Sequence, residues 1–101
     1  MLTLEIKDKV VLVTGSNRGI GKSFVEKALE LGAAKVYATA RSTDSLADLA
    51  AANPERVVLL NLDICNQEQV DAVAAAAQDV DVLVNNAGAG GGGAIVAANN
   101  E

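Results

Sequence analysis

The part of the chain that most constrains its fold is an apolar run followed at once by three closely spaced glycines. The run Val10 to Val13 carries only apolar side chains, which is typical of a strand buried on both faces of a sheet. The glycines are Gly15, Gly19 and Gly21, and apolar side chains at helical spacing follow them. A strand, a glycine-rich turn and a helix start bring bare backbone and free N–H groups against an anion. The segment therefore predicts a phosphate-binding turn.

Each glycine of this turn has a predicted task. Gly15 lets the chain leave the strand in a tight turn, Gly19 leaves room for a pyrophosphate, and Gly21 lets the helix lie close to the sheet. One alternative is an ordinary strand-to-helix turn. A second is an ATP-binding P-loop, because residues 21–23 read Gly-Lys-Ser, but that pattern requires glycine where Ser16 stands.

Apolar runs and helical stripes alternate along the rest of the chain. Further strands are predicted over residues 35–40, 56–61 and 81–85. Helices are predicted over residues 20–31, up to residue 52, and after Asn66, an N-cap with Gln69 as its capping-box partner. Such alternation predicts an α/β fold with a parallel sheet of strand order 3-2-1-4 and right-handed crossovers. The first two helices then share one face of the sheet, and the third covers the other.

Three motifs resemble one family in the same order. Residues 14–21 resemble the T-G-x-x-x-G-I-G cofactor loop of the short-chain dehydrogenase/reductase family, Asp63 follows the third strand, and residues 85–88 read Asn-Asn-Ala-Gly after the fourth. The resemblance covers roughly residues 5–90 and implies a Rossmann-like fold. It divides the chain into a dinucleotide-binding half-domain, residues 1–88, and a glycine-rich linker with a short tail, residues 89–101. In this fold the ligand lies at the carboxyl ends of the strands, between the first and the fourth.

The resemblance implies contacts to a nicotinamide dinucleotide from four loops. Asp63 would accept a hydrogen bond from the adenine amino group, and the asparagines would largely tie neighbouring strands. The predicted cofactor-binding residues are Gly15, Ser16, Asn17, Arg18, Gly19, Ile20 and Gly21 in the first loop, Arg41 and Ser42 in the second, Asp63 and Ile64 in the third, and Asn85, Ala87 and Gly88 in the fourth.

The end of the second strand predicts which cofactor fits. An acidic residue there accepts hydrogen bonds from the ribose of NAD, whereas a basic residue pairs with the 2′-phosphate of NADP. Ala40 stands where the family has its acid, Arg41 follows it, and Arg18 is a second candidate cation. A guanidinium makes forked, charge-assisted hydrogen bonds with phosphate, so the sequence favours NADP over NAD.

The chemical part of the family pattern is missing from the sequence. The family transfers hydride with a serine, a Tyr-x-x-x-Lys pair and a later asparagine. Here the single tyrosine, Tyr37, lies in the second strand, and no lysine or serine occurs after residue 45. We therefore predict no catalytic residue and no activity of this chain alone, and whether the protein is an enzyme stays open. The interpretation is an NADP(H)-binding part of an oxidoreductase. The alternative is a truncated or engineered minimal fold without activity.

The tail has two interpretations. Residues 89–93 have the composition of a flexible linker, and residues 94–98 are a short strand candidate. A parallel crossover needs about a dozen residues, so a strand here would pair with the fourth strand as an antiparallel edge. Otherwise the tail is frayed.

Composition narrows the partners and the location. The net charge of −5 argues against nucleic acid and anionic membranes, and no apolar run approaches the ~20 residues of a membrane span. No histidine occurs and Cys65 is the only cysteine, so we predict no metal site and no internal disulfide. The first residues carry no signal pattern, which predicts a cytoplasmic protein. Apolar side chains of the first and fourth strands would be left uncovered, which predicts a homo-oligomer, a dimer or higher assembly, through that sheet face or else a marginally stable fold.

Overall fold

The computed structural model describes residues 5–16, 19–86 and 94–97. One short 3₁₀ turn, Asp44–Leu46, precedes the second α-helix. The strands are β1 (Val10–Val13), β2 (Lys35–Ala40), β3 (Val57–Asn61), β4 (Val82–Asn85) and β5 (Ala94–Ala97), and the helices are α1 (Gly19–Glu30), α2 (Ala47–Ala52) and α3 (Gln67–Ala76).

A single sheet runs through the described part of the chain in the order β3-β2-β1-β4-β5. The first four strands pair in parallel, which confirms the predicted α/β fold and its 3-2-1-4 order. The short β5 lies antiparallel beside β4, with Leu83 opposite Val96. The tail therefore forms the edge strand that its sequence allowed, since residues 86–93 are too few for a parallel crossover.

Two apolar cores lie on opposite faces of the sheet, as right-handed crossovers require. The larger core packs α1, the 3₁₀ turn and α2 against one face, around Val13, Val25 and Leu46. The smaller core packs α3 against the other face, around Leu12 and Val73. Alternate residues of β1 to β4 pack into opposite cores, and this keeps these four strands in one register.

The end of α1 is fixed by backbone conformation and by a distant arginine. Gly32 has φ 92°, a left-handed conformation that suits the residue after a helix. Arg56, just before β3, donates from Nη2 to the Leu29 and Ala33 carbonyls at 2.9 and 2.8 Å. Leu31, the last residue of the predicted helix, lies beyond the last helical residue and is 47% exposed.

The apolar surface that the sequence predicted on β1 and β4 is largely covered. Leu12 is only 7% exposed, and Val10 and Leu83 are half-buried beside it. Among the described residues, the large apolar side chains that are exposed are Leu31 and Ile64, and neither lies in a strand. The prediction that this face is left uncovered is therefore wrong for most of its apolar surface, and the homo-oligomer stays a prediction. No helix in the described part of the chain is long and apolar enough to cross a membrane.

Candidate functional site

The glycine-rich turn is fastened to the sheet by Ser16. Its hydroxyl donates to the Val13 carbonyl at 2.6 Å, and its N–H donates to the Thr39 carbonyl at 2.8 Å. Thr39 also donates its hydroxyl to the Val13 carbonyl, at 3.1 Å. Ser16 and Thr39 are both fully buried. Ser16, a predicted cofactor contact, therefore uses its hydroxyl to hold the turn against the end of β1 and its N–H to hold it against β2.

The three glycines of the turn differ in backbone conformation and in the atoms that surround them. Gly15 and Gly19 have positive φ, 64° and 48°. A Cβ added at Gly19 would meet no atom of the described residues within 4 Å, so these residues leave open space at the start of α1. A Cβ at Gly21 would collide with the Gly15 carbonyl oxygen and lie 2.7 Å from Asn86 Nδ2. The turn thus combines open space at a helix N-terminus with close helix–strand packing, and this arrangement suits a bound phosphate group.

The end of β4 is tied to the same turn. Thr14 Oγ1 donates to Asn85 Oδ1 at 3.0 Å and accepts from the Asn86 N–H at 2.9 Å. Asn86 Nδ2 donates to the Gly15 carbonyl at 3.3 Å. These contacts agree with the strand-tying task that the resemblance implied for the asparagines. The side chain of Ile20 and all of Asn17, Arg18, Ala87 and Gly88 lie outside what the structure describes.

Beyond β2, the chain changes from buried to exposed within one residue. Ala40 is 2% exposed, whereas Arg41 and Ser42 are exposed. The Arg41 carbonyl accepts from Asn61 Nδ2 at 3.2 Å, which fixes its backbone beside the end of β3. Within the described residues, the Arg41 guanidinium makes no ion pair.

The loop after β3 is held together by hydrogen bonds around Asp63. Its Oδ1 accepts from the Cys65 N–H at 2.9 Å, and its N–H donates to Gln69 Oε1 at 2.7 Å. Asn66 caps α3 as predicted, because its Oδ1 accepts from the Gln69 N–H at 3.2 Å. The predicted return bond from Gln69 to the Asn66 N–H is replaced by the bond to Asp63. Ile64, the neighbouring predicted contact, is 45% exposed.

These four loops meet at one edge because β1 to β4 are parallel. The buried polar groups of this edge hold backbone, whereas Arg41, Ser42, Ile64 and Asn85 are exposed. No group of His, Cys, Asp and Glu side chains within the described ranges could hold a metal ion. Sequence reasoning missed the supporting roles of Thr14 and Thr39 and the bond from Gln69 to Asp63; the capping pattern was the only signal that pointed to Gln69.

The opposite edge of the sheet holds the tyrosine. Tyr37, 5% exposed, donates its hydroxyl to Asp79 Oδ1 at 2.7 Å and accepts from Lys35 Nζ at 3.0 Å. Lys35 Nζ also lies 2.7 Å from Asp79 Oδ2. The hydrogen bonds from Lys35 and Tyr37 lower the pKa of the Asp79 carboxyl, and those to Asp79 and Tyr37 raise the pKa of Lys35. The Tyr37 hydroxyl thus serves a polar cluster where the strands begin, away from the glycine-rich turn.

Comparison with known proteins defines the class of the chain. Its sequence matches the short chain dehydrogenase family model over residues 9–101. The chain therefore belongs to the short-chain dehydrogenase/reductase family, and its Rossmann-like fold is that of its relatives.

Individual relatives are similar but much longer. The 3-oxoacyl-(acyl-carrier-protein) reductase of Vibrio cholerae is 40% identical over 89 residues, which are 84% of this chain and 36% of that protein. An NAD-dependent glycerol dehydrogenase of Listeria innocua is 39% identical over 88 residues, covering 82% and 34% of the two chains. The chain thus spans about a third of the length of the curated relatives it matches.

Two solved structures extend the likeness to the fold. A short chain dehydrogenase from Burkholderia cenocepacia, in complex with NADP, has a TM-score of 0.76 and 44% identity, over 84% of this chain and 34% of that one. A family member from Burkholderia phymatum, in complex with NAD, has a TM-score of 0.67 and 32% identity, over 77% and 28%. Structural relatives of this chain therefore bind nicotinamide dinucleotides of both kinds.

Proposed function

We propose that this chain is the NADP(H)-binding part of a short-chain dehydrogenase/reductase. The space at Gly19 and the start of α1 would take the pyrophosphate, and Asp63 the adenine amino group. Arg41 and Ser42 would take the 2′-phosphate. When bound, a nicotinamide dinucleotide supplies or accepts the hydride of the reaction. The residues of this edge bind and orient it.

The observation that carries the choice of NADP is the position of Arg41. It follows the buried Ala40, so no carboxylate stands at the end of β2 to accept from a ribose hydroxyl. Its guanidinium is exposed and makes no ion pair within the described residues, so its donors are open to a phosphate. Arg18 adds a second cation from the sequence of the turn. Structural relatives are found in complex with NADP and with NAD, so the proposed preference of this chain for NADP rests on Arg41.

We further propose that the 101-residue chain binds the cofactor without turning over a substrate. Its one tyrosine is buried and bonded to Lys35 and Asp79 at the edge opposite the glycine-rich turn. No serine or lysine follows residue 45 in the sequence. Reduction of a carbonyl substrate by the chain with NADPH would contradict this proposal.

The test of cofactor binding is a paired titration with NADPH and NADH, followed by nicotinamide fluorescence, on wild type and Arg41→Ala. Wild type should bind NADPH more tightly. Arg41→Ala should lose NADPH affinity by about 10- to 100-fold, since hydrogen bonds to charged groups are worth about 1.5–3 kcal/mol, and should keep its NADH affinity. Lys27→Ala is the control, because it removes the same charge from an exposed position in the last turn of α1.

Each result of this titration decides between the alternatives. Equal affinity for both cofactors, or equal losses in the Arg41 and Lys27 variants, would overturn the NADP preference. Absence of binding by wild type would overturn the proposed function and favour a minimal fold without activity.

We propose, lastly, a cytoplasmic location and self-association. An exposed single thiol, Cys65, suits a reducing compartment, and the net charge of −5 makes nucleic acid an unfavourable partner. Half-buried Val10 and Leu83 beside α3 are the remaining support for a homo-oligomer. Light scattering tests it, and a monomer across the micromolar range would contradict it.

A further inference from the structure

Gln69 makes an unexpected contact for a residue in the first turn of a helix. In a capping box its side chain would accept from the Asn66 N–H. Instead, Oε1 accepts from the Asp63 N–H at 2.7 Å, while the Asn66 N–H donates to the Asp63 carbonyl at 2.9 Å. The side chain of Gln69 therefore bonds outside the helix, to the residue that follows β3.

Asp63 is consequently held at three points. Its N–H is bonded to Gln69, its carbonyl to Asn66, and its Oδ1 to the Cys65 N–H at 2.9 Å. Its Oδ2 makes no hydrogen bond within the described residues. The carboxylate therefore has one oxygen fixed by the loop and one open to a donor at the carboxyl edge of the sheet.

From this geometry we infer that Gln69 is a positioning residue that fixes Asp63 to recognise the 6-amino group of adenine. The inference rests on the proposed function, since it concerns the adenine end of the same dinucleotide. Gln69 does not touch the ligand; it holds the peptide of the residue that does. Without its oxygen, the Asp63 N–H loses its partner, and the peptide can turn toward water. The carboxylate then leaves the orientation that the amino group requires.

Gln67 offers a matched control on the same helix. It is exposed, and its Nε2 donates to Asp71 Oδ1 at 2.9 Å within α3. Gln67→Leu and Gln69→Leu both remove an amide from the first turn of α3, and only the second removes a contact to Asp63. Gln69→Glu is the rescue variant, because a carboxylate oxygen can still accept from the Asp63 N–H.

The experiment compares the affinity for NADPH with that for its hypoxanthine analogue, which carries a carbonyl oxygen in place of the 6-amino group. Wild type should prefer NADPH by about tenfold, since a hydrogen bond from adenine to a carboxylate is replaced by oxygen facing oxygen. Gln69→Leu should reduce this preference to about twofold or less, mainly by lowering the affinity for NADPH. Gln67→Leu and Gln69→Glu should keep it. A general loss of stability would lower the affinities for both ligands alike and leave the ratio of the two affinities unchanged.

The outcomes separate this inference from the proposed function. An unchanged ratio in Gln69→Leu overturns the role of Gln69 alone. Wild type that binds both ligands equally overturns adenine recognition by Asp63, and the role of Gln69 with it, while dinucleotide binding stands. Wild type that binds neither ligand overturns the proposed function together with this inference.

Discussion

The edge of the sheet where β1 to β4 end and the edge where they begin use their polar side chains differently. Where the strands end, Ser16, Asn86 and Gln69 bond to backbone, Thr14 bonds to the Asn85 side chain, and Arg41 is left exposed. Where the strands begin, polar side chains bond to one another, as in the cluster of Lys35, Tyr37 and Asp79, or brace a strand, as in the bond from the Val10 N–H to Asp81 Oδ2.

This difference separates binding from stability in one small domain. A site needs loops of fixed shape whose remaining donors and acceptors face a ligand. The end edge has that organisation. The start edge satisfies its polar groups internally, so it ties β1 and β2 to the segment between α3 and β4. Substitutions at the two edges should therefore change different measurements.

The largest expected effect is at Gly21. Gly21→Ala drives a Cβ into the Gly15 carbonyl, and the helix must move from the strand. We expect a loss of about 3 kcal/mol in the free energy of unfolding by urea, together with loss of NADPH binding. Gly19→Ala is the comparison, because its Cβ has open space and only the φ of 48° is strained, which costs about 1–2 kcal/mol. Equal losses in the two variants would show that close packing at Gly21 is not what shapes the turn.

Arg56 should show the second largest effect, on stability alone. It bonds to two carbonyls at the end of α1, far along that helix from the glycine-rich turn. Arg56→Ala should lower the free energy of unfolding by about 2 kcal/mol, and Arg56→Lys by less, because the lysine keeps the charge without the fork. NADPH affinity should stay within about twofold of wild type, a difference of about 0.4 kcal/mol. A large loss of affinity would mean that the two ends of α1 are coupled.

The smallest expected effect is a pH dependence at Asp79. Its pKa is lowered in the folded chain by the bonds from Lys35 and Tyr37, so it stabilises the fold above its ordinary pKa of 3.8 and loses this contribution as pH falls through the lowered value. Lys35, whose pKa is raised, stabilises the fold below 10.5 and loses its contribution as pH rises further. The difference in unfolding free energy between wild type and Asp79→Asn should therefore be constant near neutral pH and shrink below pH 3.8. A difference in unfolding free energy that grows on acidification would contradict the stabilising role of the ionised Asp79 carboxylate.

The sequence was sufficient for the fold because local patterns determine it. Strand and helix periodicity with right-handed crossovers predicts the 3-2-1-4 order, and the spacing of Gly15, Gly19 and Gly21 predicts the conformation of the turn. The sequence did not predict how far the apolar surface of β1 and β4 is covered, since this depends on how α3 packs over β1.

The candidate site was predicted less completely, because a sequence shows which groups can bond and not which partner they meet. Ser16 was assigned to the cofactor, but its partners are the Val13 and Thr39 carbonyls, one of them on another strand. Gln69 was predicted to cap its own helix through the Asn66 N–H, but its side chain accepts from the Asp63 N–H instead. Arg41 lies exposed just beyond the end of β2, and its pairing with a phosphate stays a prediction.

The most direct test of the two-edge account is an NMR titration of the ¹⁵N-labelled chain with NADPH, recording every assigned amide. The account predicts concentration-dependent shifts at the end edge, in the amides of Gly15, Gly19, Arg41 and Asp63, with the amides of Lys35, Asp79 and Asp81 unmoved. Shifts confined to the start edge, spread evenly over the chain, or absent at saturating NADPH would contradict it.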